Sequence, residues 1–291
     1  MRTGHSAIVG RCLALLSLAA TVVATASCAA ASTASERAAT RTATGSFRSV
    51  ALNETLHFLI HLPAGYDAGV RRYPVIYFLH GLPADPSSYT SLAWVATALD
   101  AAGGNAILVI PQGTDSENGD PEYLNLGPGN DWATAISREL PAYVDLHYRS
   151  IATRIGRALI GVSAGGYGAA SLGLHNPKQF SVVESWSGYF APTDPTGMSV
   201  LDLGSDAAND EASVHKLARA LAEQFRRYPT YFAFYVGKSD PTFVRENLQL
   251  NEELNGSNAP HAFTTYPGGH SNSLWQPHAA TWLAMALKHL A

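Results

Sequence analysis

The chain has 291 residues, 46% of them hydrophobic, which is enough to bury one large core, and a single α/β domain is the default expectation at this size. Its formal net charge is −4 and it carries no Lys/Arg cluster, so neither nucleic acid nor an anionic membrane surface is expected as a partner. A small or neutral molecule fits this balance better.

At the N-terminus Arg2 and Arg11 precede an apolar run over 12–23, which ends in the small residues Ala24, Thr25, Ala26 and Ser27. That order reads as an export signal over residues 1–28, and the run is short for a bilayer span. Cys28 stands where a bacterial lipoprotein would carry its acylated cysteine, while Ala24-Thr25-Ala26 also reads as an ordinary cleavage site. The expected destinations are therefore secretion or anchoring on the outer face of the membrane. Both cysteines, Cys12 and Cys28, precede the predicted folded domain, so no disulfide is expected within it. Residues 29–45, rich in Ala, Ser, Thr and Arg, read as a flexible tether, leaving 46–291 for the folded domain.

Residues 47–51 and 56–62, separated by Asn53-Glu54, predict an antiparallel hairpin at a sheet edge. Short continuous apolar runs follow at 75–79, 106–110, 155–162, 182–186, 231–236 and 263–266. Unalternating and rich in β-branched or aromatic residues, they suit strands buried on both faces of a mainly parallel sheet. Helices are predicted over 91–102, over the stretch carrying Trp132, Ile136, Leu140 and Val144, and over 277–290, with Pro277 in a first turn. Pro141 predicts a kink in the second of these. The alternation gives a doubly wound α/β sheet with helices on both faces.

Two connections, 112–130 and 188 to about 210, are too long to be plain links. Each leaves the C-terminal end of a predicted strand, where open α/β sheets bind ligands, so both are expected to wall a substrate pocket. Asp115, Glu117 and Asp120 in the first do not have calcium-loop spacing and read as a solvated acidic loop. No H-E-x-x-H or C-x-x-C occurs, and no metal or organic cofactor is expected.

Gly161-Val162-Ser163-Ala164-Gly165 matches G-x-S-x-G directly after a predicted buried strand and before the small-residue helix start 166–170. In this context Ser163 is the candidate nucleophile, because the serine occupies a strained turn and glycines let the helix pass close to the strand. A serine hydroxyl needs a histidine to take its proton and a carboxylate to hold that histidine in one tautomer. His270, in Pro267-Gly268-Gly269-His270-Ser271, follows a strand, whereas His261 lies at the wrong end of it and His278 and His289 fall in the last helix. Asp240 lies just past the end of the 231–236 strand and is the candidate acid, with Glu246 in reserve. The oxyanion of a tetrahedral intermediate needs two backbone N–H donors. Ala164 is one candidate; Leu82, in the turn His80-Gly81-Leu82 after 75–79, is the other.

With these residues in place the chain resembles the esterase D-type branch of the α/β-hydrolases, which includes feruloyl esterases, formylglutathione hydrolases and mycobacterial mycolyltransferases. The likeness spans about 47–290 and rests on Leu62-Pro63 with Gly65-Tyr66, Tyr73-Pro74-Val75 leading to His80-Gly81, Arg138-Glu139-Leu140-Pro141 with Val144-Asp145, the serine turn, Gly237 with Asp240, and Gly268-Gly269-His270 with Trp275. It implies Ser163, Asp240 and His270 as a triad with Leu82 and Ala164 as oxyanion donors. Mycolyltransferases usually carry Asp-Gly where this chain has His80-Gly81 and a Glu as triad acid, so the resemblance favours a hydrolase over a sugar acyltransferase. The expected function is that of an exported serine carboxylic-ester hydrolase acting on a small-molecule or cell-envelope ester. Its rivals are acyl transfer to a sugar or cell-envelope alcohol, and a binding protein that keeps the fold without chemistry.

Overall fold

The computed structural model describes residues 40–117, 119, 122–194 and 199–291. The expected export signal, Cys28, the tether as far as residue 39, and Asp120 lie outside the described residues. Strands β1 (Arg41–Ser49) and β2 (Glu54–Leu62) form the N-terminal hairpin. β3 (Val75–Leu79) leads to α1 (Ser88–Ser91) and α2 (Trp94–Ala101), then β4 (Ile107–Pro111). After a long connection come α3 (Trp132–Thr134), a π-helical turn Ala135–Glu139, and α4 (Leu140–His147). β5 (Arg157–Val162), α5 (Ala164–His175) and β6 (Val182–Trp186) form the centre. Then follow α6 (Asp206–Ala212), α7 (Val214–Arg227), β7 (Tyr231–Gly237), α8 (Val244–Ser257), β8 (Ala262–Tyr266) and α9 (Asn272–Leu287).

The eight strands form one sheet in the order β1-β2-β4-β3-β5-β6-β7-β8. β2 pairs antiparallel with β1 and β4, and every other pair is parallel. Successive side chains on a strand point to opposite faces, so a parallel strand with helices on both sides is apolar at most positions. β3 illustrates this: Val75, Tyr77 and Leu79 pack with Trp132, Ile136, Leu140 and Val144, while Ile76 and Phe78 pack on the other face with Val95 and Leu99 of α2 and Trp282 and Leu283 of α9. α7 and α8 share the first face, where Leu221, Leu250 and Leu254 meet Val183, Phe232 and Phe234. This is the α/β-hydrolase fold.

The structure departs from expectation most clearly at three points. β1 begins at Arg41, so residues 41–45, assigned to the tether, pair with residues 58–62. Backbone pairing at an edge needs no apolar side chain, and these five residues are largely exposed, which is why their composition reads as linker. Pro141 is accommodated by the π turn that immediately precedes α4, since widening the helix there keeps the proline ring off the Ser137 carbonyl four residues back. α9 starts at Asn272, five residues before the expected point, and holds Pro277 in its interior, at the loss of one backbone bond.

Candidate active site

Ser163 joins β5 to α5 with φ 57° and ψ −124°, a left-handed conformation that a non-glycine residue adopts only where its surroundings enforce it. Its N–H donates to Trp186 O at 2.9 Å, which fixes the turn to the end of β6. The close strand-to-helix approach requires glycine: a Cβ on Gly161 would lie 2.0 Å from Gly165 O, and one on Gly165 would lie 2.2 Å from Leu79 O. The hydroxyl is thereby lifted above the C-terminal ends of the central strands, and Ser163 is 8% exposed.

Asp240 follows β7 and His270 follows β8. Their two turns are fastened by a Ser239 N–H to Gly268 O bond of 2.9 Å, and a side chain on Gly237 would collide with Gly268 O at 2.4 Å. His270 Nδ1 lies 2.9 Å from Asp240 Oδ2, and His270 Nε2 lies 2.8 Å from Ser163 Oγ. An ionised carboxylate only accepts, so Nδ1 carries the proton and Nε2 is left to accept from the serine hydroxyl. Asp240 is fully buried, and Oδ1 takes the N–H groups of Thr242 and Phe243 at 3.0 and 2.9 Å. Burial by itself would raise this carboxyl, but the His270 bond and the two backbone donors outweigh it and hold it below the ordinary carboxylate value. The imidazole is framed edge-on by Phe243 and Trp275, with centroids 5.0 and 5.1 Å away, and the Trp275 indole N–H donates to Ser187 Oγ at 2.9 Å.

Gly81 lies directly against the serine: a Cβ there would be 2.7 Å from Ser163 Cβ. Leu82 and Ala164 both line one small cavity beside it, with His80, Gly81, Ala84, Gly113, Gly119 and Tyr123. Ala164 is the first residue of α5, whose first N–H groups have no partner within the helix. A wider depression lined by Pro83–Ser87 and Glu117 continues from Ala84.

The structure therefore brings Ser163, Asp240 and His270 into one hydrogen-bonded path and puts Leu82 and Ala164 beside it. Glu246 is elsewhere: its Oε2 accepts the Phe190 N–H at 3.0 Å. His261 bonds to Ala259 O and Asn251 Oδ1, while His278 stacks on Trp282 and His289 on Tyr231. Trp132, Trp186 and Tyr189 are core, and Trp94 packs half-buried under the opposite face. Glu122, Tyr123, Ser187 and Phe243 were missed. Each acts through contacts with residues distant in the chain, and no local pattern marks them. Among the described residues, no group of three or more His, Cys, Asp or Glu side chains could hold a metal ion.

An esterase of Mycobacterium tuberculosis is 26% identical to this chain over 235 residues, 72% of this chain and 51% of that protein. The chain thus spans about half the length of the curated relatives it matches. A diacylglycerol acyltransferase/mycolyltransferase, Ag85A of Mycobacterium leprae, is 34% identical over 83 residues, covering 28% of this chain and 24% of that one. Among solved structures, a ferulic acid esterase superposes with a TM-score of 0.73 at 22% identity, over 88% of this chain and 100% of its own. The profile of the family described as "Putative esterase" matches residues 49–284, from the end of β1 into α9 and through every residue of the serine site, and the chain belongs to that family.

Proposed function

We propose that the protein is an exported serine carboxylic-ester hydrolase. The observation that carries this reading is the unbroken path from Asp240 through His270 to the Ser163 hydroxyl, set beside a turn whose backbone donors can receive an oxyanion. In the first step Ser163 Oγ bonds to the ester carbonyl carbon as its proton passes to His270 Nε2; the carbonyl electrons collect on the oxygen facing Leu82 and Ala164. The C–O bond to the alcohol then breaks and the alcohol leaves with that proton. Water repeats the sequence on the acyl-enzyme, giving its proton to His270, releasing the acid and restoring the serine. Asp240 remains ionised and steadies the imidazolium that forms in each step. A binding protein without chemistry would have no use for this arrangement. The basic, apolar and small-residue order of residues 1–28 supports export, with a lipid anchor at Cys28 as the variant to test.

Acyl transfer to a sugar or cell-envelope alcohol is a second reading, favoured by the match to the Mycobacterium leprae acyltransferase. Both readings use Ser163 and differ in the acceptor. The test is turnover of a p-nitrophenyl ester series of increasing acyl length, beside Ser163→Ala, with products analysed in the presence and absence of a sugar acceptor. Serine-dependent release of free acid supports the hydrolase, and a new sugar ester formed in preference to acid supports the transferase. Turnover undiminished in Ser163→Ala would sink both.

A further inference from the structure

Both peptide groups that flank Gly81 are held by side chains. Tyr123, from the long connection after β4, donates its hydroxyl to His80 O at 2.7 Å, fixing the peptide between His80 and Gly81. His80 Nδ1 lies 3.0 Å from Gly81 O, the carbonyl of the next peptide. A carbonyl oxygen only accepts, so Nδ1 carries a hydrogen and donates it. The peptide unit is planar and, in its trans form, directs C=O and N–H to opposite sides. Holding Gly81 O therefore sets the direction of the Leu82 N–H. Residue 83 is a proline, which has no N–H, so no neighbouring donor on the C-terminal side could replace Leu82 before Ala84.

The supports are themselves buried. His80 is 5% and Tyr123 4% exposed, and a Cβ on Gly113 would lie 2.6 Å from His80 Nε2 and 2.7 Å from the Tyr123 hydroxyl oxygen, so glycine at 113 is what lets them approach. Burial also holds His80 below its ordinary value, outweighing the Gly81 bond and Asp85, which favour the charged form.

We infer that His80 and Tyr123 are positioning residues that aim the Leu82 N–H at the developing oxyanion through the two peptide planes of the Gly81 turn. This rests on the serine-hydrolase reading above. It gives the connection after β4 a part in transition-state stabilisation beyond walling the pocket. Because the bonds act on a donor used chiefly in the transition state, loss of a support should lower kcat and leave KM nearly unchanged.

The test compares Tyr123→Phe, His80→Phe and His80→Asn with the unaltered protein. An asparagine Nδ2 is attached to Cγ as Nδ1 is in histidine, so it can donate to the same carbonyl. Tyr123→Phe and His80→Phe are each expected to lower kcat on p-nitrophenyl acetate roughly 10- to 100-fold, at or below the loss typical of removing an oxyanion donor outright, with KM within about twofold. Affinity for a phenylboronic acid, whose serine adduct is tetrahedral, should fall by a similar factor, and His80→Asn should recover most of both. Unchanged kcat in both phenylalanine variants, or a loss that follows melting temperature, spares boronate affinity and is not rescued by His80→Asn, would overturn the inference. Serine-independent turnover in the parent protein would instead remove the reading on which it rests.

Discussion

Glu122 accepts the Tyr189 hydroxyl at 2.6 Å, and this bond ties the connection after β4 to the connection after β6, the two segments that flank the serine turn. The same carboxylate oxygen takes the Thr193 N–H at 3.1 Å. Tyr189 stacks on Tyr167 of α5 and leans on Phe243, which in turn touches His270. Removing the acceptor takes the carboxylate partner from the buried Thr193 N–H, at about 1–3 kcal/mol, and one bond from the Tyr189 hydroxyl. Glu122→Ala should therefore lower unfolding stability by that order, and Tyr189→Phe by less, since Glu122 then keeps Thr193. Urea midpoints of the two variants beside the unaltered protein check this, and midpoints equal to the parent's in both would show that the clasp contributes nothing.

Asp240 and Glu246 compete for the role of triad acid in the sequence, and the geometry separates them. Asp240→Asn cannot hold His270 in the tautomer that accepts from Ser163, so kcat should fall about 10³- to 10⁴-fold with little change in KM. Glu246→Gln should keep kcat within a few-fold, because Glu246 serves the Phe190 N–H. Steady-state kinetics of the pair decides it.

Glu184 is a fully buried carboxyl in β6 whose Oε2 accepts the Trp186 indole N–H at 2.9 Å. Burial pushes it up to about 8, outweighing that bond. Between the ordinary carboxylate value and about 8 the folded state keeps a proton that the unfolded state loses, so unfolding releases a proton and stability falls as pH rises. The slope from this one group is about 1.4 kcal/mol per pH unit, flattening above 8. Glu184→Gln should remove that slope, matching the parent near pH 5 and exceeding it at pH 8. Denaturation midpoints across this range test the claim, and parallel curves would refute it.

Gly161→Ala would drive a methyl group into the backbone of Gly165, whose carbonyl carbon and oxygen would lie 2.3 and 2.0 Å away. Neither can rotate aside, so α5 must move off the sheet. A cost of at least about 1–3 kcal/mol is expected, together with loss of ester turnover as Ser163 leaves His270. A variant that keeps both stability and activity would show that the close approach is dispensable.

The sequence by itself determined the strand pattern, because side chains buried on both faces of a parallel sheet are apolar at most positions and such runs stand out. It also determined which chemistry-bearing residues were available: the glycine-flanked Ser163 needs a close strand-to-helix turn, and Asp240 and His270 each follow a strand. Residues 41–45 escaped because edge pairing is made by backbone and leaves no mark on composition. Tertiary structure alone decided that Asp240 and not Glu246 meets His270, that Tyr123 and His80 brace the Gly81 turn, and that Glu122 joins two connections through Tyr189. These contacts link residues between 30 and 67 positions apart, except for the brace within the turn itself, and their partners are chosen by how the strands are ordered in the sheet. No local periodicity encodes that order, because it follows from packing the whole chain at once.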